Sequence, residues 1–228
     1  MKHKHQEKQL TLFALTWPIF IEIFLYMVMG NTDTLMLSQY SDNSVASVGV
    51  SNQILFVIIV MFGFIATGTA IIIAQHLGAK DHQAASEVTV IAIVANLLFS
   101  FILSVFVFLF SENLLGFMDL PFELMNEASS YLRIVGGFSF IQALIMTVGA
   151  IIRSYGFTKD TMYVTIGMNL INVIGNYLFI FGPFGFPVLG VEGVAISTTV
   201  SRTIGLLVIS FLLLKRVHHQ LPFKKLFS

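Results

Sequence analysis

The sequence contains no cysteine and few charged residues. The lack of cysteine excludes disulfides, thiol nucleophiles and thiolate metal sites. Charged residues make up 11% of the 228 residues, whereas soluble domains carry about a quarter. The chain therefore has too few charges to cover a globule in water, and its 56% of hydrophobic residues can face lipid instead. The 12 basic and 12 acidic residues cancel, so no net field favours nucleic acid as a partner.

Sequence motifs for enzyme chemistry are also lacking. The chain has no phosphate-binding P-loop, and neither a Ser-His-Asp arrangement nor an HExxH zinc motif occurs in its apolar segments. The six histidines show no metal-ligand spacing. We therefore expect a protein that is not an enzyme and has no tightly bound cofactor.

Six long apolar stretches dominate the chain. A bilayer core of roughly 30 Å needs about 20 helical residues, and a helix that is apolar on every side does not suit a soluble bundle. The sequence predicts an all-α integral membrane protein, a bundle of six transmembrane helices within residues 10–214, with a cytoplasmic tail at 1–9 and a basic cytoplasmic segment at 215–228. The predicted spans are 10–39, 51–77, 88–110, 127–154, 162–181 and 191–214.

Lysine and arginine in the connectors, in the tails and at the last residues of a span occur at alternate ends of the predicted helices. They precede the first span, lie between the second and third and between the fourth and fifth, and follow the sixth. The other three connectors carry acidic charges only. The positive-inside rule then predicts a multi-pass protein of the cell membrane with both termini in the cytoplasm. The basic residues are Lys2, Lys4, Lys8, Lys80, Arg153, Lys159, Lys215, Arg216, Lys224 and Lys225.

The first span carries two carboxylates, Glu22 and Asp33. They are eleven residues apart, about three helical turns, so they point to nearly the same side, together with Tyr26. A carboxylate inside a span has to pair, bind a cation or take up a proton. Asp33 could instead be hydrated near the outer boundary, and Glu22 could snorkel or bond to a neighbouring helix. Pro18 removes one backbone hydrogen bond and predicts a kink that could act as a hinge.

A second polar stripe follows the fifth span. Four polar residues at offsets 0, 4, 7 and 11 share one helical face, where they could line a cavity, hold a facing carboxylate or simply bond between helices. The sixth span adds Thr198 and the deep Arg202, which we expect to face protein or water or to pair with an acid. The fifth-span residues are Thr165, Asn169, Asn172 and Asn176.

Several short segments together resemble the multidrug and toxic compound extrusion (MATE) transporters. Each segment is degenerate, but their order and their places on six oriented spans make the joint resemblance specific, and it covers essentially the whole chain. The segments are Pro18 with 30–36 (GNTDTLM), 74–79 (AQHLGA), 153–159 (RSYGFTK), 172–182 (NVIGNYLFIFG) and 189–198 (LGVEGVAIST).

The resemblance implies an antiporter that expels organic, often cationic compounds while Na⁺ or H⁺ moves inward. Asp33 matches the family's first-helix acidic residue, implicated in cation or proton coupling. Asn172 and Asn176 match fifth-helix positions of the same cavity, and Thr198 a sixth-helix position near it. Some members carry Asp where this chain has Asn176, so Asp33 would act with neutral partners. The resemblance implies no metal site other than Na⁺ at Asp33.

The resemblance extends to only one of two lobes. Family members have twelve helices in two six-helix lobes, which implies a second lobe as partner, either a C-terminal half or a second copy of the chain. Two alternatives remain: a non-transporting half-module that needs a partner lobe, and a related flippase for lipid-linked precursors. The flippase would need several basic residues in its cavity, and only Arg133 and Arg202 are available.

Overall fold

The structure is a computed structural model that describes residues 12–217, and every regular element in that range is helical. The predicted tail 1–9 lies outside the described residues, as does most of the basic segment, 218–228. A π-helical turn (Leu132–Gly136) joins α4 to α5, and a 3₁₀ turn (Pro183–Gly185) lies between α6 and α7. The helices are α1 (Leu12–Ser38), α2 (Asp42–Gly78), α3 (His82–Gly116), α4 (Phe122–Tyr131), α5 (Ser139–Ser154), α6 (Thr158–Phe181) and α7 (Gly190–Val217).

Five of these helices are long and apolar enough to cross a membrane alone. The sixth crossing is the pair formed by α4 with its π turn and α5, which bend by 41° at their junction. The predicted fold class, an all-α membrane protein with six spans, is confirmed when this bent pair counts as one span.

The bend interrupts the span that the sequence predicts over 127–154. Gly136 and Gly137 lie against α3 so closely that a Cβ on Gly136 would come 2.5 Å from the Val107 side chain. The backbone N–H of Phe140, just after the break, donates to Ser104 Oγ of α3 at 2.9 Å. The break therefore brings α5 against α3, and a serine on α3 satisfies a backbone donor that would otherwise be costly in lipid.

Two predicted connectors are shorter than the sequence indicated. The second helix begins at Asp42, not near Ser51, because Ser41 caps it and accepts a bond from the Ser44 backbone N–H at 3.5 Å. Likewise α3 continues through Ser111 and Glu112 to Gly116. Polar residues here extend helices past the apolar stretch, so a change in polarity did not mark the helix ends.

The bundle interior holds many small polar side chains beside its apolar core, while many large apolar side chains lie on the outside. On α3, Asn96 is fully buried and donates to the Ala143 carbonyl of α5 at 3.2 Å and to Thr147 Oγ1. Phe20 and Phe24 on α1, by contrast, are more than half exposed. This arrangement suits lipid outside and interhelical hydrogen bonds inside.

Candidate functional site

Asp33 lies where α1, α6 and α7 meet, and its residue is 5% exposed. Asn176 Nδ2 on α6 donates to Asp33 Oδ1 at 2.5 Å. Thr198 Oγ1 on α7 donates to Asp33 Oδ2 at 3.5 Å. The carboxylate thus receives one donor from each of two helices, and both donors are neutral.

Asn172, one turn before Asn176 on α6, holds these two donors in place. Its Nδ2 donates to Thr198 Oγ1 at 3.2 Å, and its Oδ1 accepts from Asn176 at 3.5 Å. Its backbone carbonyl accepts from Ser197 Oγ at 2.8 Å. Asn172, Asn176 and Thr198 are almost completely buried, so the hydrogen bonds among them fix the geometry around Asp33.

Close contact between α6 and α7 makes this geometry available. A Cβ on Gly175 would collide with Ser197 Oγ, and one on Gly193 would lie 2.5 Å from Phe179 Cβ. Glycine at these positions lets the two backbones approach, as small residues do between membrane helices. The short interhelical distance is what allows side chains as short as Asn and Thr to reach one carboxylate from two helices.

Arg202 supplies a positive charge near this cluster without bonding to it. It follows Thr198 by one turn on α7 and therefore lies on the same face of that helix. Within residues 12–217 neither Arg202 Nε nor the buried Asn176 Oδ1 has a hydrogen-bond partner. Carboxylate, amide and hydroxyl oxygens are ligands for hard cations, and a carboxylate also takes up protons, so the cluster offers the atoms that either ion requires.

Glu22, the other carboxylate of α1, has quite different partners. Arg153 Nη1 at the end of α5 donates to Glu22 Oε1 at 2.8 Å. Thr161 Oγ1 near the start of α6 donates to Glu22 Oε2 at 2.7 Å. Eleven residues separate Glu22 from Asp33, roughly 16 Å along the helix. The two carboxylates share the buried side of α1 but belong to opposite ends of the bundle.

A cavity of about 600 Å³ opens between α1, α2 and α5. Glu22, Tyr26 and Arg153 form part of its wall, whereas Asp33 does not line it. Its volume lies in the range of small-molecule sites, roughly 300–1,000 Å³. Small residues on α2 leave this space, namely Gly63, Ala66, Thr67, Ala70 and Ala74.

The other predicted residues lie apart from this cavity. Thr165 Oγ1 donates to the Thr161 carbonyl at 3.1 Å, and Asn169 Nδ2 to the Thr165 carbonyl at 2.9 Å. The stripe on α6 therefore divides: Asn172 and Asn176 join the Asp33 cluster, while Thr165 and Asn169 bond to their own helix. None of the four lines the cavity, nor do Thr198 and Arg202.

Pro18 and Arg133 also have defined places. Pro18 is buried inside α1, which continues through it as one helix from Leu12 to Ser38. Arg133 lies in the π-helical turn, where its Nη2 donates to Glu112 Oε1 at 2.7 Å and the pair is largely exposed. Among residues 12–217, no three His, Asp or Glu side chains converge as a metal site would require.

Sequence reasoning missed the partners of Glu22. Arg153 counted only as a loop charge that sets orientation, and Thr161 lay outside the predicted fifth span. The signal that could have revealed them was position along the bundle. The end of α5 and the start of α6 lie at the same end of the bundle as the first half of α1, which carries Glu22. A deep carboxylate and an arginine at the matching helix end form a natural pair in a bilayer.

The sequence is similar to a family model and to known transporters. The MatE family model matches residues 18–178. The uncharacterized transporter YisQ of Bacillus subtilis is 58% identical over 224 residues, which cover 98% of this chain and 49% of YisQ. A probable multidrug resistance protein NorM of Thermotoga maritima is 30% identical over 220 residues, 96% of this chain and 47% of that protein.

The fold is shared with a solved transporter structure. The outward-facing conformation of a multidrug resistance MATE transporter of the MOP superfamily superposes with a TM-score of 0.80 at 24% identity, over 89% of this chain and 44% of that one. The chain spans about half the length of the curated relatives it matches. From the family model, which covers most of the described helices, and from these relatives, the chain belongs to the MATE family of membrane transporters.

Proposed function

We propose that this chain forms the N-terminal lobe of an efflux antiporter that exports organic, often cationic compounds. Inward movement of Na⁺ or H⁺ at Asp33 would drive the export. The observation that carries the proposal is a deeply buried carboxylate whose hydrogen-bonded partners are all neutral. Such a group can gain and lose a cation without leaving a second charge unpaired.

The hydrogen bonds of Asp33 suggest how ion binding reaches the helices. Asn176 and Thr198 donate to the charged carboxylate, and bonds to a charged group are stronger than those to a neutral one. A proton or Na⁺ on Asp33 therefore weakens the attachment of α1 to α6 and α7. Pro18 lacks the backbone donor that would stiffen α1, so α1 can bend there as the lobe alternates between inward and outward access.

The proposal also covers topology and assembly. Both termini face the cytoplasm, because Arg153 and Lys159 lie near the α5–α6 connection at the end of the bundle where α1 begins and α7 ends. Residues 10–214 form the membrane lobe, with 1–9 and 215–228 as cytoplasmic segments. A second six-helix lobe, either a C-terminal half or another copy, completes the transport path.

Two other functions fit the structure less well. A flippase for lipid-linked precursors needs basic residues in its cavity, yet Arg133 is exposed and paired with Glu112, and Arg202 does not line the cavity. A non-transporting half-module is the remaining alternative. It would need a partner lobe, and alone in detergent it would be a stable monomer that does not bind substrate.

Proteoliposome efflux tests the proposal. The chain is reconstituted alone and together with the remaining half of YisQ, and ethidium efflux is followed under an imposed Na⁺ or H⁺ gradient. We expect Asp33→Asn to lower gradient-driven efflux by at least about tenfold, the equivalent of ~1.4 kcal/mol. Asp42→Asn removes an exposed carboxylate at the start of α2 and is the matched control. Coupled efflux that survives Asp33→Asn contradicts the role of Asp33.

A further inference from the structure

The cavity between α1, α2 and α5 combines an apolar interior with one anchored carboxylate. Its wall carries Tyr26 and Met146 beside small apolar residues of α2. Aromatic faces and thioethers make favourable contacts with flat, polarisable rings and with organic cations. Glu22 provides the negative charge in this wall, and its side chain is 9% exposed.

Arg153 is the counter-ion of Glu22, and it is placed to move away. Its side chain is 26% exposed and stands in the last turn of α5, where the helix dipole favours a cation even without Glu22. Ser154 and Arg153 both border the cavity, so a ligand inside it reaches the ion pair from the side. A buried carboxylate that loses one cation needs another in its place.

We propose that this cavity binds flat amphipathic monocations, with Glu22 as the anionic anchor and Arg153 as the counter-ion that the ligand displaces. The inference rests on the proposed function for its substrate class, but it assigns the substrate to a carboxylate other than Asp33. The Thr161 bond can persist during the exchange, because it uses the other carboxylate oxygen of Glu22.

Ligand exchange at Glu22 also acts on the hinge of α1. Pro18 precedes Glu22 by one helical turn, and both lie on the buried side of α1. The Arg153 bond ties α1 to α5 at this level. When a cationic ligand replaces Arg153, that tie is lost and α1 becomes freer to bend at Pro18. Substrate and coupling ion would then each loosen a different attachment of the same helix.

Equilibrium binding to the purified full chain in detergent, without any gradient, tests the subsite. The probes are ethidium and the neutral ring system 6-phenylphenanthridine. We expect Arg153→Gln to raise ethidium affinity about tenfold, because the competing cation is gone, and Glu22→Gln with Arg153→Gln to lower it about tenfold below the unsubstituted chain. The neutral probe should bind all three proteins within about twofold.

Two further variants keep the test decisive if an ion-pair variant folds poorly. Ala70→Leu fills the cavity without touching the pair and should weaken both probes, whereas Asp42→Asn at the exposed start of α2 should change neither. The subsite is wrong if the unsubstituted chain does not bind ethidium, or if ethidium binds the double variant and Ala70→Leu as tightly as the unsubstituted chain. If Asp33→Asn still abolishes coupled efflux in that case, the proposed function stands and only the subsite fails.

Discussion

The two carboxylates of α1 differ in what holds them. Asp33 receives bonds from an amide and a hydroxyl, while Glu22 is paired with the arginine at the end of α5. Loss of charge at Asp33 breaks no ion pair, since Arg202 is near but does not bond to it, whereas loss of charge at Glu22 leaves Arg153 without its ion-pair partner beside a cavity. One site is therefore suited to an ion that comes and goes, and the other to a fixed anion that exchanges its cationic partner.

The surroundings of the two carboxylates also differ. Asp33 is enclosed by α6 and α7 and does not border the cavity of about 600 Å³, whereas Glu22 is part of its wall. A proton or a small cation needs little space at a carboxylate, but an organic compound needs a volume such as that of the cavity beside Glu22. The comparison predicts that damage to one site leaves the other working.

The largest effect should come from the α6–α7 contact on which only the Asp33 site depends. Gly175→Ala places a methyl group against Ser197, forcing the helices apart or the serine out of position. We expect a loss of about 1–3 kcal/mol of stability, as for overpacking, together with loss of coupled efflux. Melting in detergent and the proteoliposome assay measure the two effects.

Gly167→Ala on the same helix is the matched control. No atom lies within 4 Å of a Cβ built there, so alanine should be neutral or stabilise the helix by up to ~1 kcal/mol. Ethidium binding at the Glu22 cavity should survive both substitutions. Equal melting temperatures for the two variants would show that the close α6–α7 contact does not hold the Asp33 site.

A smaller effect should distinguish the two carboxylates directly. Glu22→Gln leaves Arg153 unpaired and should cost about 1–2 kcal/mol, less than a fully buried pair because Arg153 is partly exposed. Adding Arg153→Gln should recover most of this loss. Asp33→Asn should cost less than about 1 kcal/mol, since its partners are neutral.

Chemical or thermal unfolding of the four proteins in one detergent gives these values. The double variant is the internal control, because it restores a neutral pair that can hydrogen bond. The comparison fails if Asp33→Asn destabilises the chain as much as Glu22→Gln does, or if the second substitution recovers nothing.

The smallest effect concerns an ion pair at the same end of the bundle as Glu22, in which the arginine is exposed and the aspartate is partly buried. Arg216 on α7 donates two bonds to Asp160 on α6, at 2.8 and 3.2 Å. Asp160→Asn should cost less than about 1 kcal/mol, and the difference should shrink in high salt because exposed pairs are screened. Melting at low and high salt measures it. A loss as large as that for Glu22→Gln would mean that burial does not separate the two pairs.

Helical periodicity and depth within the predicted spans were enough to select Asp33 and the α6 asparagines as candidate site residues. A polar side chain inside an apolar span needs a polar partner, and an offset of 4 or 7 residues places two such side chains on one helical face. The sequence could not show that Thr165 and Asn169 turn to their own backbone, because a side chain that bonds to its own helix has the same spacing as one that faces a partner.

The parts that escaped prediction involve contacts between distant segments. The break at Gly136 and Gly137 depends on close contact with α3, and glycine in an apolar run is also common in straight membrane helices. The early start of α2 depends on the Ser41 cap. The prediction missed this local feature because it placed the helix start where the apolar stretch begins, near Ser51. The pairing of Glu22 with Arg153 required knowing that the two helix ends lie side by side.

The central claim is that ion and substrate use separate carboxylates of α1. The most direct measurement is binding of the coupling ion by the purified chain, using radioactive sodium and, in a weakly buffered solution, proton uptake. We predict that Asp33→Asn removes saturable ion binding, while Glu22→Gln with Arg153→Gln retains it and loses ethidium. Ion binding that persists in Asp33→Asn, or disappears equally in both variants, would contradict the claim.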